Sequence, residues 1–269
     1  MILTLDVGNT QILGGVFDND KLVLQFRKNV RESFSSDEIG LFLKNVLREN
    51  DFDPNNVEDI SFCSVVPDRN HSLMNGIRKY FDMEPFFLEP GVKTGLKIKY
   101  KNPHEVGSDR IANAVAAIRL HPHQNLIIVD FGTATTFCVI SKSSEYLGGV
   151  IIPGIRISME SLEKRTAKLP RVEIKASEAS YGKTTIESIQ VGLYHGQIGM
   201  IKEITKNITN EAFHGVKPLI IGTGGFSALF ANAGLFDVVD SNLVLYGLLE
   251  TLKMNRSIND TDSAEIENS

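Results

Sequence analysis

Two stretches of this 269-residue chain share one pattern, and they begin almost half a chain length apart. In each, an apolar run of strand character leads into an Asp-x-Gly-[Asn/Thr] turn, and a second apolar run follows. The turns begin at Asp6 and Asp130. Backbone N–H groups and hydroxyls in such turns can donate to phosphate oxygens, and the carboxylate can hold a cation. One copy alone would be an ordinary hairpin, so the repetition predicts a duplicated domain that holds a nucleotide between its halves.

A structural interpretation of the two aspartates stays open beside the functional one. Aspartate often accepts hydrogen bonds from its own turn, and Asp6 and Asp130 could do no more than that. If the halves are related by a pseudo-twofold axis, however, both carboxylates face one cleft. Paired carboxylates with hydroxyl-rich turns suit Mg²⁺ and a polyphosphate, because the metal prefers oxygen ligands.

Composition narrows the functional classes. The chain is 42% hydrophobic and 23% charged, which is typical of a soluble globular protein. The net charge of −5 argues against nucleic acid as the main partner. No apolar run reaches the ~20 residues that a membrane span needs, and the N-terminus lacks signal-peptide features. Cys63 and Cys138 lie inside apolar runs, which predicts buried free thiols in a reducing cytoplasm.

The order of predicted elements repeats in both halves and predicts an α/β fold. Each half contains three strands, a helix, a strand and a helix, which is typical of a mixed sheet flanked by helices. We predict an N-terminal domain at 1–121 and a C-terminal domain at 122–255. Residues 256–269 are polar and acidic without periodicity, which predicts a disordered tail.

Several element boundaries can be predicted from local signals. Ser35-Ser36-Asp37-Glu38 indicates a helix start, and Pro67 is expected to stop the strand over 60–66. Helices are predicted at 71–80, 155–165, 184–208, 226–231 and 244–254.

Two glycine-containing segments resemble nucleotide motifs only in part. Gly182-Lys183-Thr184 is not a Walker A loop, because Ser177 stands where that motif needs its first glycine. The segment Gly222-Thr223-Gly224-Gly225 follows a strand, but the third glycine of a Rossmann fingerprint falls at Ser227. This bend either lets the backbone approach a flat ligand or is a plain strand-to-helix turn.

Two predicted helix starts are further candidates. Asp109 lies in the first turn of a helix, where the dipole favours its ionised form; alternatively it is a base for a substrate hydroxyl. Arg110 could bind an anionic substrate. Thr184 with Glu187 fits a capping box, and the same helix start could hold a small polar ligand.

Together these segments, in this order and spacing, resemble the type III pantothenate kinase family. The resemblance runs from Met1 to about Met254. It implies two ribonuclease H-like domains with an ATP cleft between them, the duplication found in the acetate and sugar kinase, Hsc70 and actin superfamily. It also implies a homodimer, with pantothenate close to the subunit interface. The motifs are Asp6-Val7-Gly8-Asn9-Thr10, Gly107-Ser108-Asp109-Arg110, Asp130-Phe131-Gly132-Thr133-Ala134-Thr135-Thr136, Leu147-Gly148-Gly149 and Gly182-Lys183-Thr184-Thr185.

The reaction that the resemblance implies is ATP-dependent phosphorylation of pantothenate to 4′-phosphopantothenate, the first step of coenzyme A biosynthesis. The implied cofactors are Mg²⁺ near Asp6 and a monovalent cation, K⁺ or NH₄⁺, at Asp130. Asp109 is implied to accept the proton of the pantothenate hydroxyl. The Gly222–Gly225 bend is implied to lie on the adenosine side. The implied ATP contacts are Asp6, Val7, Gly8, Asn9, Thr10, Gln11, Ile12, Leu13 and Thr133, and the implied pantothenate contacts are Tyr100, Gly107, Ser108, Asp109, Arg110 and Thr185.

Direct in-line transfer without a phosphoenzyme is the predicted mechanism, with positioning and electrostatics contributing most. Two alternatives stay open: a kinase of the same superfamily that acts on a sugar or a carboxylic acid, and a non-catalytic regulatory or accessory protein on the same scaffold. Asp6, Asp109, Asp130 and Thr185 favour the enzyme, because each stands at a position with an implied role. Ser108 stands where many family members carry Thr or Ala, a mild change.

Overall fold

The computed structural model describes residues 1–30, 32–166 and 168–266. The chain divides into two compact units, which we call unit 1 and unit 2. Unit 1 contains Met1–Gly95, Asn102–Ala116 and the chain from Val244 onward, and unit 2 contains Leu96–Lys101 and Ala117–Leu243.

The strands and helices follow one another in mixed order along the chain. The strands are β1 (Ile2–Val7), β2 (Gln11–Asp18), β3 (Lys21–Asn29), β4 (Asp59–Ser64), β5 (Phe86–Phe87), β6 (Lys97–Ile98), β7 (Leu126–Phe131), β8 (Ala134–Ile140), β9 (Glu145–Pro153), β10 (Leu219–Thr223) and β11 (Val238–Val239). The helices are α1 (Ser36–Arg48), α2 (Pro67–Phe81), α3 (Ser108–Leu120), α4 (Ile155–Arg165), α5 (Thr185–Phe213) and α6 (Leu243–Ile266). Short 3-10 turns lie at Pro54–Asn56, Pro103–Glu105 and Ser227–Ala233.

Unit 1 is built on a five-stranded mixed sheet in the order β3-β2-β1-β4-β5. The central strand β1 is antiparallel to β2 and parallel to β4. Its alternating residues Leu3, Leu5 and Val7 are fully buried in one core with apolar residues of α1 and α2. The predicted helix start at Ser35 is confirmed, since Ser35 and Glu38 form a capping box. Sheet and helices therefore give β1 a fixed position from which its last residues emerge.

Helices α3 and α6 complete unit 1. The Ser61 hydroxyl of β4 donates to Leu248 O of α6 at 3.2 Å. A Cβ at Gly247 would collide with the backbone of Ala112 in α3, so glycine permits the close approach of the two helices. The C-terminal helix thus belongs to the first unit, although its residues come last in the chain.

Unit 2 repeats this arrangement and adds one strand. Its six-stranded sheet has the order β11-β10-β7-β8-β9-β6, in which β7 is antiparallel to β8 and parallel to β10. The core joins Ile127 and Val129 of β7 to Ile189, Leu193 and other residues of α5. Its strands β9-β8-β7-β10-β11 correspond in this order to β3-β2-β1-β4-β5 of unit 1. The duplication predicted from the two turns is therefore present in the topology.

The predicted fold class, two α/β domains with mixed sheets flanked by helices, is confirmed. The domain limits differ from the predicted 1–121 and 122–255. The boundary between the two units falls within α3, between Ala116 and Ala117. The segment Leu96–Lys101 belongs to unit 2, because its strand β6 pairs with β9. No helix among the described residues has the length and apolar character to span a membrane.

Helix boundaries account for the remaining differences. Pro67 does not merely end the preceding strand; it is the first residue of α2, where its missing N–H is tolerated. Helix α6 continues to Ile266 where we expected a disordered tail from residue 256, because no glycine or proline follows Gly247 to stop it. Residues 267–269 of that predicted tail lie outside the described residues.

Candidate active site

The first turn of unit 1 places Asp6 at the carboxyl end of the central strand. Asp6 is the penultimate residue of β1, and the turn to β2 closes through a hydrogen bond of 3.0 Å from Gly8 N to Gln11 O. Asp6 is half-buried, whereas Asn9 and Thr10 are exposed. The predicted phosphate loop, which we call the Asp6 turn (residues 6–11), therefore presents its tip to solvent from a buried strand pair.

Cys63 lies beside Asp6 on the neighbouring strand. The two residues are register partners in the parallel pair β1–β4, and the Cys63 thiol donates a hydrogen bond to Asp6 Oδ1 at 3.3 Å. Burial and then the negative charges of Asp6 and Asp109 raise the pKa of the Cys63 thiol well above its usual range. The thiol therefore stays protonated and remains a donor to the carboxylate. The prediction that Cys63 and Cys138 are buried free thiols is confirmed.

A second residue that supports the Asp6 turn is Arg69, which sequence analysis missed. It lies in the first turn of α2, directly after β4, and is only 8% exposed. Its Nη1 donates to Gly8 O at 2.8 Å and to Asn9 O at 3.1 Å. The only local signal in the sequence was an arginine two residues after Pro67. That signal does not indicate which backbone carbonyl groups the arginine side chain contacts.

The start of α3 brings the predicted substrate motif to the same strand. The Ser108 hydroxyl donates to Ser64 O, at the end of β4, at 3.0 Å. Asp109 Oδ1 accepts a hydrogen bond of 2.7 Å from Arg110 N. Arg110 is 8% exposed, and its Nη2 donates to Glu105 O at 3.2 Å. The residues 107–110 are thus held in place by backbone and side-chain contacts within unit 1.

Asp109 has the electrostatics expected of a proton acceptor. Burial raises the pKa of its carboxyl above the usual aspartate value, and the hydrogen bond and charge of Arg110 partly oppose that shift. A raised pKa makes the carboxylate a better base. Asp6 lies beside the end of β4, and the Ser108 hydroxyl binds Ser64 O at that same end, so unit 1 brings the segments that carry Asp6 and Asp109 together.

Unit 2 carries the second turn, which we call the Asp130 turn (residues 130–134). Asp130 is the penultimate residue of β7, as Asp6 is of β1, and it is half-buried. Its antiparallel register partner is Thr136, whose buried Oγ1 makes no hydrogen bond within the described part of the chain. Thr133, a predicted ATP contact, is exposed at the tip of the turn.

The Gly222–Gly225 bend approaches Asp130. Thr223 is the parallel register partner of Asp130, and Gly224 follows with φ +86°. A Cβ at Gly224 would collide with Asp130 Oδ1 and with the backbone of Phe131. Glycine is therefore needed both for the left-handed conformation and for the close approach to a carboxylate. A 3-10 turn over Ser227–Ala233 follows the bend instead of the predicted helix at 226–231.

The two remaining predicted substrate contacts also lie in unit 2. Thr184 caps α5 by accepting a hydrogen bond of 3.2 Å from Glu187 N, and Glu187 in turn accepts from Lys183 N at 2.7 Å. Thr185, the first residue of the helix, is exposed. Tyr100 is half-buried, and its ring meets Tyr146 edge-on at a centroid distance of 6.5 Å.

The described side chains fit the implied cations in different ways. They contain no group of three or more His, Cys, Asp or Glu residues that could hold a metal. Mg²⁺ usually binds through one or two carboxylates, water and substrate phosphates, and the Asp6 side chain is a carboxylate at the base of the predicted phosphate loop. Near Asp130, the unpartnered buried oxygen of Thr136 is a neutral oxygen ligand of the kind that monovalent cations bind.

Comparison with known proteins identifies a family. The sequence model described as type III pantothenate kinase matches residues 2–207. Type III pantothenate kinase of Legionella pneumophila (strain Corby) is 54% identical over 255 residues, covering 95% of this chain and 99% of the relative. That of Elusimicrobium minutum is 46% identical over 258 residues, covering 96% of this chain and 100% of the relative.

Solved structures with the same fold are more distant in sequence. A Campylobacter jejuni protein described as a Baf family transcriptional activator is 23% identical, with a TM-score of 0.56 and coverage of 95% of this chain and 99% of that one. A ROK family glucokinase from Streptomyces griseus, in complex with glucose and AMPPNP, is 12% identical, with a TM-score of 0.50 and coverage of 95% and 99%. At these identities the likeness shows the fold alone.

Proposed function

The chain belongs to the type III pantothenate kinase family, and we propose that it phosphorylates pantothenate with ATP. The product is 4′-phosphopantothenate, and the reaction is the first step of coenzyme A biosynthesis. The observation that carries the proposal is the 54% identity to a type III pantothenate kinase over 95% of the chain. The support from the site is that Asp6 and Cys63 are partners near the ends of β1 and β4, and that the start of α3, which carries Asp109, is bonded to the end of β4 through Ser108.

The transfer proceeds in line, in one step. Asp109 accepts the proton of the pantothenate hydroxyl while that oxygen bonds to the γ-phosphorus, and the bond to the β-phosphate oxygen breaks to release ADP. In phosphoryl transfer the proton leaves late, so a weakly basic aspartate is sufficient. Backbone N–H groups of the Asp6 turn bind ATP phosphates, together with Thr133. Tyr100, Gly107, Ser108, Arg110 and Thr185 position pantothenate.

Asp6 holds Mg²⁺ and Asp130 holds a monovalent cation, K⁺ or NH₄⁺. When bound, these ions neutralise charge on the phosphates. The chain itself orients Asp6 through the Cys63 thiol and brings Asp130 against the Gly224 backbone. That the two turns share one nucleotide stays a prediction of the sequence.

We also propose that the chain forms a homodimer and that it works in the cytoplasm. On α5, Gly192, Gly196 and Gly199 recur at helical spacing on an exposed stripe, and a Cβ built at any of them meets nothing within 4 Å among the described residues beyond its own stretch of helix. Exposed Ile186 and Met200 lie on the same helix. A stripe of small residues of this kind allows a second helix to approach closely. The two reduced, buried cysteines suit a reducing compartment.

Steady-state turnover tests the function. The purified chain with ATP, Mg²⁺ and K⁺ should release ADP on addition of pantothenate, with an equal amount of 4′-phosphopantothenate detected by mass. Sugars and simple carboxylic acids should give no ADP above the ATPase background. Turnover of one of these in place of pantothenate would establish the alternative kinase, and a chain that binds ATP but phosphorylates nothing would establish the regulatory protein.

Light scattering tests the dimer. Gly196→Glu should shift the mass towards the monomer, because the new side chain is bulky and charged where the helices meet. Arg48→Glu, at an exposed position on α1 in unit 1, is the matched control and should leave the mass unchanged. A dimer that survives Gly196→Glu would exclude this face as the interface.

A further inference from the structure

We propose that Arg69 is a nucleotide-binding residue whose positive charge is neutralised by the phosphates of ATP. The inference rests on the proposed function only in taking ATP as the ligand of the Asp6 turn. It assigns a role to a residue outside every motif that carries the family resemblance.

The position of Arg69 ties it to the tip of the turn. The side chain leaves the first turn of α2 and reaches two consecutive carbonyl groups, Gly8 O at 2.8 Å and Asn9 O at 3.1 Å. Both bonds come from the same nitrogen, Nη1. A guanidinium carries five N–H donors, so three more are left on Nε and Nη2. These make no hydrogen bond to any residue that the structure describes.

The charge of Arg69 is unbalanced in the described chain. The side chain is 8% exposed, and no ion pair joins it to a carboxylate among the described residues. Arg78, an exposed arginine on the same helix, shows the contrast, since it pairs with Glu84 at 2.7 Å. A buried cation without a counter-ion is destabilising, because two carbonyl oxygens replace only part of its hydration. An anion that arrives at the turn would remove that penalty.

The chemistry of the guanidinium fits a polyphosphate. Its planar donors match two phosphate oxygens at once, and it is more weakly hydrated than an ammonium group. Bracing two carbonyls needs no full charge, since a neutral amide donor could do it. The Asp6 turn is exposed at its tip, beside the carbonyls that Arg69 holds. Arg69 therefore both fixes the backbone of the phosphate loop and supplies the positive charge that the loop's N–H groups lack.

Nucleotide binding without pantothenate tests the inference. Titration calorimetry would compare a non-hydrolysable ATP analogue with adenosine, in the full-length chain, for Arg69→Gln and Arg69→Lys. Arg78→Gln, on the exposed side of the same helix, is the matched control. Arg69→Gln should weaken binding of the ATP analogue by about 10- to 100-fold, the scale of a hydrogen bond between charged groups, and leave adenosine binding unchanged. Arg69→Lys keeps the charge but loses the planar pair of donors, so its affinity for the analogue should lie between those of Arg69→Gln and the unmodified chain.

A purely structural role gives a different result. If Arg69 only braces the turn, Arg69→Gln keeps the affinity for the ATP analogue, or the analogue and adenosine weaken together; either result overturns the proposal. If Arg69→Gln does not fold, Arg69→Lys decides: a loss of affinity for the analogue alone supports the proposal, and unchanged binding of both ligands, or a joint loss of both, refutes it. A chain that binds ATP through Arg69 but does not phosphorylate pantothenate would refute only the proposed function.

Discussion

The two sheets place an aspartate at the same position, but the residues beside it differ. Asp6 of β1 has Leu13 as its antiparallel partner and Cys63 as its parallel partner. At the equivalent place Asp130 of β7 has two threonines, Thr136 of β8 and Thr223 of β10. The backbone pattern is shared, whereas the neighbouring side chains are a thiol and an alkyl group in unit 1 and two hydroxyls in unit 2.

This difference agrees with the proposal that the two turns hold different cations. A protonated thiol such as that of Cys63 donates to a carboxylate but is a poor ligand for Mg²⁺, which prefers oxygen. At Asp6 the remaining ligands must come from water and phosphates. Threonine hydroxyls beside Asp130 add neutral oxygen atoms, which suit a larger monovalent ion. The duplication thus keeps the geometry and changes the ligand chemistry.

The largest effect should come from Asp109, a further predicted carboxylate in unit 1 for which we propose no counterpart in unit 2. Asp109→Asn should lower kcat by ~10²-fold or more, because an amide cannot accept the proton. Binding of an ATP analogue should be retained. Steady-state kinetics and calorimetry on the same preparation check both statements, and near-normal turnover would refute the assignment of the base.

Replacing each turn aspartate in turn should change the response of the enzyme to one cation and leave its response to the other nearly unchanged. Asp130→Ala should blunt activation by K⁺, raising the K⁺ concentration for half-activation by about tenfold or more, the scale of losing a ligand contact. Its Mg²⁺ requirement should change little. Asp6→Ala should show the opposite pattern. Titrations of each ion at saturating levels of the other measure this, and an unchanged K⁺ response in Asp130→Ala would place the monovalent site elsewhere.

The neighbours of the aspartates should have smaller effects. Cys63→Val removes the thiol hydrogen bond at similar volume and should raise the Mg²⁺ concentration for half-activation about 3- to 10-fold, since a thiol is a weak donor to a charged acceptor. Cys63→Ser should restore it. Thr223→Val should instead weaken the response to K⁺.

Cys138→Val is the control for the thiol, because Cys138 is equally buried but accepts a hydrogen bond from the Tyr146 hydroxyl at 3.3 Å. It should leave the Mg²⁺ titration unchanged. If Cys63→Val also leaves that titration unchanged, the thiol does not orient Asp6.

The smallest expected effect is a change in the pH dependence of kcat/KM. Asp109 must be ionised to accept a proton, so kcat/KM should fall as pH falls through its pKa. Burial raises that pKa, which moves the acid limb of the profile upward from the ordinary aspartate value. Arg110 opposes the shift, so Arg110→Gln should move the acid limb to still higher pH. A pH–rate profile of both proteins tests the direction, and a shift to lower pH would contradict it.

Much of the fold could be predicted from local pattern. The repeated strand-turn-strand segments predicted both sheets, and the helix predicted at 155–165 has those bounds in the structure. The two-residue strands β5 and β11 were missed, because they are too short to show alternation. The assignment of α6 to unit 1 was also missed, because only tertiary packing decides which sheet a helix covers.

The residues of the candidate site also fall into two groups, those that local sequence signals indicate and those whose contacts only the tertiary structure reveals. Asp6, Asp109 and Asp130 stand in turns or helix starts that sequence signals indicate, and their roles stay predictions. Cys63 was predicted to be buried, but its contact with Asp6 depends on the register of two strands far apart in the chain. Arg69 has no motif of its own, and the role that we propose for it rests on contacts with two carbonyl groups that only the structure reveals.

The place of α6 in unit 1 has a consequence for biosynthesis on the ribosome. Domains that emerge first usually fold first. Here the N-terminal sheet cannot gain its contact with Leu248 until the last helix has been translated, whereas residues 117–243 of unit 2 are continuous. The half of the protein made first is therefore the half completed last. Nascent chains stalled after residue 243 should stay protease-sensitive in their first 95 residues, and resistance there would show that the sheet matures without its final helix.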